Sequence, residues 1–104
     1  MTAIDYRRRL ALHSESTLHV VQVPRAVVER MLARAEARLR KEKLQSSRDS
    51  LGRLTHYLRA GLRDHWGKAP AVELKQTADY FAWVASVACD GVDGMLIGRQ
   101  LSIE

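Results

Sequence analysis

Residues of the types that most often carry chemistry are sparse in this chain and are not grouped. They are one cysteine, four histidines and two aspartates of an Asp-Gly-Val-Asp-Gly run: Cys89, His13, His19, His56, His65, Asp90 and Asp93. The histidines lack the spacing of metal ligands, and the sequence has no Gly-rich phosphate loop, Gly-x-Ser-x-Gly elbow or catalytic carboxylate pair. We therefore expect a protein that is not an enzyme and needs neither a metal nor another cofactor.

Cys89 and the run that follows it each have a plain structural interpretation. Cys89 ends an apolar segment, where a cysteine usually serves as a small core residue, and the sequence offers it no activating base. The Asp-Gly run lacks the regular oxygen positions and the closing Glu of a calcium loop. We interpret it as a turn that ends a helix, with residues 95–97 as a short final strand.

Positive charge is the strongest signal in the composition. The chain of 104 residues has 17 Lys and Arg against 12 Asp and Glu, a net charge of +5. Residues 24–66 hold 11 of these cations against five acids, whereas residues 67–104 hold three against five. We expect the basic centre to face an anionic partner, although a solvated helix face explains the same charge run equally well.

Length and apolar content predict one soluble domain. A single cysteine excludes an internal disulfide framework, which favours a reducing compartment, and we expect a cytoplasmic protein. The longest apolar run, residues 81–89, is far shorter than the roughly 20 residues of a membrane-spanning helix. The sequence therefore predicts no membrane association, and we infer no small-molecule substrate.

The region before the basic centre, residues 1–23, is assigned as a strand or arm. Residues 17–23 are rich in β-branched side chains, which favours a strand ended by Pro24. Apolar residues nearly alternate in residues 1–13, which fits a hairpin with that strand, and a short helix fits about as well. Three arginines at positions 7–9 add charge to this arm.

The basic centre, residues 24–66, is predicted to be a pair of helices separated near Ser46 and Ser47. In the first helix an apolar arc and a basic arc lie about 120° apart. The basic arc is Arg30, Arg34, Arg38 and Lys41. The second helix has an apolar stripe at positions 51, 54, 58, 62 and 66, and Arg53, Arg59 and Arg63 lie on its opposite face. Gly61 falls within the apolar arc, where it permits close approach of another segment, although a conformational or chance role is equally admissible.

Residues 67–104 are predicted to form a third helix and a tail. Residues 71–89 place apolar side chains over well more than half of a helical circumference. Such a helix must be covered on two sides, by both preceding helices or by a second subunit. The expected fold is a single, mostly helical α+β domain with an N-terminal strand or β-hairpin followed by three helices.

The order of elements over residues 18–66 resembles that of the ribbon-helix-helix DNA-binding regulators. In that family the strand pairs with its twin from a second chain in the major groove, and the second helix begins at a phosphate. The resemblance implies that Leu18, Val20 and Gln22 face the bases. It also implies that Ser46 or Ser47 lies at the phosphate.

These observations favour a small DNA-associated regulatory protein of the repressor, antitoxin or conjugation-accessory type. The alternative is a phage- or plasmid-type inhibitor or adaptor that binds an acidic protein. A homodimer is expected in either case, because an exposed strand and a two-sided apolar helix both require a partner. The residues expected to bind the nucleic acid or the acidic partner are Gln22, Arg30, Arg34, Arg38, Lys41, Ser47, Arg53, Arg59 and Arg63.

Overall fold

The fold combines a two-stranded antiparallel sheet with four helices, in a computed structural model that describes residues 17–64 and 70–101. The element order is β1 (Leu18–Pro24), α1 (Arg25–Lys41), α2 (Gln45–Asp64), β2 (Ala71–Thr77), α3 (Ala78–Ala88) and α4 (Gly91–Gln100). The predicted class, mostly helical α+β, is confirmed. The described residues form four helices, where the sequence predicted three.

The sheet has one buried face and one exposed face, because both strands alternate apolar and polar side chains. Val21 lies opposite Leu74, and Val23 lies opposite Val72. All four of these side chains are buried in the core. On the other face of β1, Leu18, Val20 and Gln22 are exposed, which is the face that the ribbon-helix-helix resemblance implied. Here, however, β1 pairs along its length with β2 of the same chain.

Side chains from two helices hydrogen-bond to the backbone of the sheet. The carboxamide of Gln100 accepts from the backbone N–H of Gln22 at 2.7 Å and donates to its carbonyl at 2.8 Å. The hydroxyl of Tyr57 accepts from the N–H of Lys75 at 2.7 Å and donates to its carbonyl at 3.2 Å. These bonds satisfy backbone N–H and C=O groups that take no part in the hydrogen bonds between β1 and β2. They also attach α4 and α2 to the sheet.

The prediction of one helix over residues 71–89 was wrong for its first part, since Ala71–Thr77 is the strand β2. Leu74, Ala78 and Phe81 have helical spacing, but Val72 and Leu74 also alternate with exposed Glu73 and Lys75. Pairing with β1 buries the alternating apolar pair and so decides in favour of the strand. The helix α3 then begins at Ala78, where the hydroxyl of Thr77 accepts from Tyr80 N at 3.2 Å.

The predicted end of a helix near Asp90 is confirmed, since α3 ends at Ala88. The turn is limited to residues 89–90, and the strand predicted over 95–97 was wrong, because Gly91–Gln100 is the helix α4. Asp90 is the N-cap of this helix, and its side chain accepts from the N–H of Asp93 at 2.8 Å. Three glycines, each unfavourable by about 1 kcal/mol relative to alanine, argue against a helix here. Tertiary contacts outweigh that preference, because Ile97 is 1% exposed in the core and Asp93 contacts α1.

The apolar arcs predicted for α1 and α2 form the middle of the core. Val28, Met31 and Ala35 of α1 and Leu54 and Leu58 of α2 are fully buried. α1 packs mainly against α2 and also contacts α3. The two basic helices therefore lie side by side, and their polar faces remain outside.

Two glycines of α2 provide a test of how closely this helix approaches the sheet. A Cβ at Gly61 would lie 3.2 Å from Val72 Cγ1, whereas one at Gly52 would meet nothing within 4 Å. Each Gly→Ala replacement gains about 1 kcal/mol of helix propensity. We expect Gly52→Ala to raise the free energy of unfolding by about 1 kcal/mol. Gly61→Ala should leave it nearly unchanged, because crowding costs about 1 kcal/mol and offsets the gain. Urea denaturation followed by circular dichroism measures both, and equal gains would contradict the close packing.

Candidate nucleic-acid interface

The first two arginines of the predicted basic arc contact carboxylates of α4. Arg30 donates through Nε and Nη2 to the two oxygens of Asp93, at 3.2 and 3.0 Å. Arg34 donates to Asp93 at 3.0 Å and to Asp90 at 3.2 Å. Arg30 and Arg34 thus link α1 to α4, and their charge is compensated within the protein.

Asp93 is the centre of this cluster and is only 2% exposed. Hydrogen bonds from Arg30 are the main cause that holds the pKa of Asp93 below its usual value, and Arg34 acts in the same direction. The same bond with Asp93 raises the pKa of Arg30. A carboxylate surrounded in this way stays ionised at neutral pH, which makes the cluster a structural link.

Two further predicted binding residues also have partners within the chain. Arg59 of α2 donates to Glu36 of α1 at 2.8 Å, which links the two basic helices. The side chain of Gln22 donates to Glu73 on the neighbouring strand at 3.1 Å. Arg63 is exposed near the end of α2. The predicted arginine arm at positions 7–9 lies outside the described residues.

The remaining cations concentrate where α1 ends and α2 begins. We call this region the basic corner. Its members are exposed and lie on more than one side of the two helix ends: Arg38, Arg40, Lys41, Lys43, Arg48 and Arg53. Within residues 17–64 and 70–101, none of the six takes part in an ion pair. The acids nearest in sequence, Glu42 and Asp49, accept hydrogen bonds from Leu44 N and from the Gln45 side chain. The six cations outnumber these two acids, so the corner carries net positive charge.

Local hydrogen bonds give the basic corner a defined shape. Arg48 donates through Nη1 to two carbonyls at the end of α1, those of Leu39 at 3.1 Å and Glu42 at 2.9 Å. The Leu39 carbonyl also accepts from the N–H of Glu42 at 3.3 Å. Arg53 contacts the hydroxyl of Ser50 at 3.4 Å. The arginine at position 48 thus caps α1 with part of its guanidinium, and its other nitrogens remain available to a ligand.

Sequence reasoning identified half of this surface and missed the other half. Arg38, Lys41 and Arg53 were predicted, whereas Arg40, Lys43 and Arg48 were not. The prediction followed faces of single helices, but the corner is formed by two helix ends and the turn between them. The missed signal was the local density of cations along residues 38–48.

A cleft lies beside the basic corner, between α1, α2 and α3. Its volume is about 240 Å³, and it is lined by Arg38, Glu42, Ser46, Ser47, Ser50, Leu51, Trp83 and Val87. The predicted site residues Ser47 and Arg38 therefore line the same cleft. Trp83, which lies in the apolar stretch of residues 71–89, was not predicted as a site residue, yet it also lines the cleft.

The thiol of Cys89 is predicted to be a poor nucleophile. Burial is the main cause that raises its pKa to about 11, and Asp93 contributes in the same direction. At pH 7.5 we expect native protein to react with iodoacetamide about 100-fold more slowly than urea-unfolded protein, since less thiolate is present. Mass spectrometry of timed samples measures the two rates. Equal rates would show an accessible thiol with an ordinary pKa and would contradict the structural role.

The structure adds two observations about other kinds of site. Among the described residues, no group of three or more His, Cys, Asp and Glu side chains could hold a metal ion. Within the same ranges, no helix has both the length and the apolar character that crossing a membrane requires.

Comparisons with protein-family models, with curated proteins and with solved structures found no match for this chain. Its function must therefore be argued from the geometry of the site.

Proposed function

We propose that the protein binds nucleic acid through the basic corner, as a small cytoplasmic regulator of the repressor, antitoxin or conjugation-accessory type. The observation that supports this is the contrast between two sets of cations. Arg30, Arg34 and Arg59 are paired with carboxylates, whereas the six cations of the corner are exposed and take part in no ion pair within the described ranges. Exposed Lys and Arg side chains without ion-pair partners can bind phosphates. This binding is favourable because it releases counterions that are condensed on the nucleic acid.

The expected contacts are mainly to the phosphate backbone. Ammonium and guanidinium groups at the end of one helix and the start of another can follow neighbouring phosphates. The strand β1 is a weaker candidate for reading bases, because Leu18 and Val20 are apolar and Gln22 is bonded to Glu73. We therefore place the binding surface at the corner, and propose that a homodimer presents two such corners.

A salt titration with charge-removing variants tests this proposal. Fluorescence anisotropy with a labelled random-sequence duplex should show binding near about 50 mM salt that weakens steeply toward about 200 mM. The double replacement Lys41→Gln and Lys43→Gln should reduce the log–log salt slope by roughly two. Arg99→Gln is the control, because Arg99 is exposed on α4 and lines a cavity that includes no residue of the corner. Absence of binding at low salt, or a slope reduced by roughly one in Arg99→Gln, would refute the proposal.

An acidic protein partner is the second candidate. It is favoured by the exposure of two apolar side chains on α4, Val92 at 76% and Met95 at 57%, which suits a protein interface. A phage- or plasmid-type inhibitor or adaptor would use both this apolar surface and the basic corner. Pull-down from nuclease-treated host lysate distinguishes the candidates: capture of an acidic protein that Met95→Glu abolishes supports this one, and recovery of only nucleic-acid-dependent partners contradicts it.

A further inference from the structure

The cleft beside the basic corner brings together two kinds of surface. Arg38 of α1 and Ser46 and Ser47 of α2 contribute polar residues to its lining. Trp83 and Val87 of α3 contribute an aromatic and an apolar residue. A ligand that fills this cleft must therefore be anionic or polar at one end and flat or apolar at the other.

The aromatic wall of the cleft is held by neighbouring rings. Trp83 lies against Tyr80 with ring centroids 5.6 Å apart, and Tyr80 meets Tyr57 edge to face at 6.4 Å. Tyr57 is in turn fixed by its two hydrogen bonds to the backbone of Lys75 in β2. The indole is thus supported by a row of rings that ends at the sheet. A ring fixed in this way offers a stacking surface with little loss of conformational freedom.

The cations next to the cleft favour a phosphate at its open side. Arg38 and Glu42 also line a second cavity, which Arg34 and Lys41 border as well. The two cavities therefore form a groove along α1 that leads to the basic corner. Glu42 reduces the positive charge, and its carboxylate offers an acceptor for an amino or hydroxyl group. From the described residues, 17–64 and 70–101, this carboxylate accepts one hydrogen bond, a long one of 3.4 Å from Leu44 N.

We propose that the cleft binds one unpaired nucleotide of a single-stranded nucleic acid, with the base against Trp83 and its phosphate at Arg38. This inference rests on the proposed function and specifies the form of nucleic acid. A volume of about 240 Å³ is smaller than the roughly 300–1,000 Å³ of most ligand pockets, so it accepts one base with part of its backbone. Neighbouring nucleotides then follow the cations of the corner. Stacking on an aromatic side chain is the usual way in which proteins hold unpaired bases.

The test uses Trp83 as its own reporter, in a Trp66→Phe background that leaves it as the only tryptophan. Three labelled probes are compared: a thymidine 12-mer, a 12-mer of abasic sites with the same charge, and a duplex. We expect the thymidine strand to quench Trp83 fluorescence saturably and to bind about tenfold more tightly than the abasic strand. In Trp83→Leu this preference should disappear, while salt-dependent binding of the abasic strand and the duplex persists. Trp83→Phe should retain part of the preference.

A second variant guards against misfolding of the tryptophan replacement. Ser47→Leu narrows the cleft without changing the aromatic row, and it should abolish the preference for bases in the same way. Equal affinities for the thymidine and abasic strands would overturn the inference and leave the proposed function intact. Failure of all three probes to bind would refute both. Binding of thymidine monophosphate as tight as that of the strand would also overturn it, because the cleft would then be a site for free nucleotides.

Discussion

Replacement of Asp93 by Asn is expected to lower the free energy of unfolding by about 2–3 kcal/mol. The amide keeps the size of the carboxyl group but has no charge, so the bonds from Arg30 and Arg34 weaken and two guanidinium groups face each other. The figure lies below the roughly 3–5 kcal/mol for a broken buried ion pair, because both guanidinium groups are partly exposed, at 49% and 38%. Urea denaturation followed by circular dichroism measures the change.

The neighbouring carboxylate provides the control. Asp90 is 49% exposed and makes one ion pair, and asparagine is as good an N-cap as aspartate. We expect Asp90→Asn to cost less than about 1 kcal/mol, as for a surface ion pair. A loss at Asp90 as large as that at Asp93 would contradict the central role assigned to Asp93.

The contribution of Asp93 should also depend on pH. Its pKa in the folded protein is lowered from the ordinary value of 3.8, so the unfolded chain takes up this proton more readily. The stabilisation is therefore complete above that value and is lost as the pH falls below it, toward the pKa of the folded state. The difference in stability between the native sequence and Asp93→Asn should be large at about pH 6 and should shrink at about pH 3. A constant difference would show that ionisation of Asp93 is not the cause.

The second large effect is expected at Phe81, the largest fully buried side chain among the described residues, at 1% exposure. Phe81→Ala should lower the free energy of unfolding by about 3–5 kcal/mol, since it removes apolar contacts and leaves a cavity beneath α3. Such a loss is enough to unfold a marginally stable domain, so Phe81→Leu, with a smaller expected loss, keeps the measurement possible. Denaturation midpoints of both variants test the prediction.

An exposed apolar residue serves as the comparison for Phe81. Leu44 lies in the turn between α1 and α2 and is 63% exposed. Leu44→Ala should change the stability by less than about 0.5 kcal/mol. If Phe81→Ala were equally mild, α3 would not be part of the core as described.

Local sequence signals predicted the elements that have many turns of hydrophobic periodicity or a clear terminating residue. The strand ending at Pro24 and the two amphipathic helices after it are of this kind. β2 was missed because its seven residues fit both the helical and the strand periodicity. Only the pairing of Val21 with Leu74 and of Val23 with Val72 decides in favour of the strand. α4 was missed because its glycines disfavour a helix, and its stabilising contacts come from residues far away in the chain.

The candidate site was predictable only in part for a similar reason. On a helical projection, the residues from Arg30 to Lys41 form one continuous basic arc. The projection does not show which of them form ion pairs within the protein. In the fold, Asp93 lies against Arg30 and Arg34, from which it is separated by 63 and 59 residues. No local sequence pattern predicts that contact. The C-terminal half of the arc, with Arg38 and Lys41, lies outside this ion-pair cluster.

The carboxamide of Gln100 has a consequence for how this protein avoids misassembly. It occupies the backbone donor and acceptor of Gln22 with the same pair of groups that an added strand would offer. An incoming chain would have to displace this side chain before it could extend the ladder past the middle of β1. The side-chain amide of Gln100, at the end of the last described helix, thus blocks the pairing of a further strand at Gln22. Gln100 does not cover the backbone at Leu18 and Val20 in the same way.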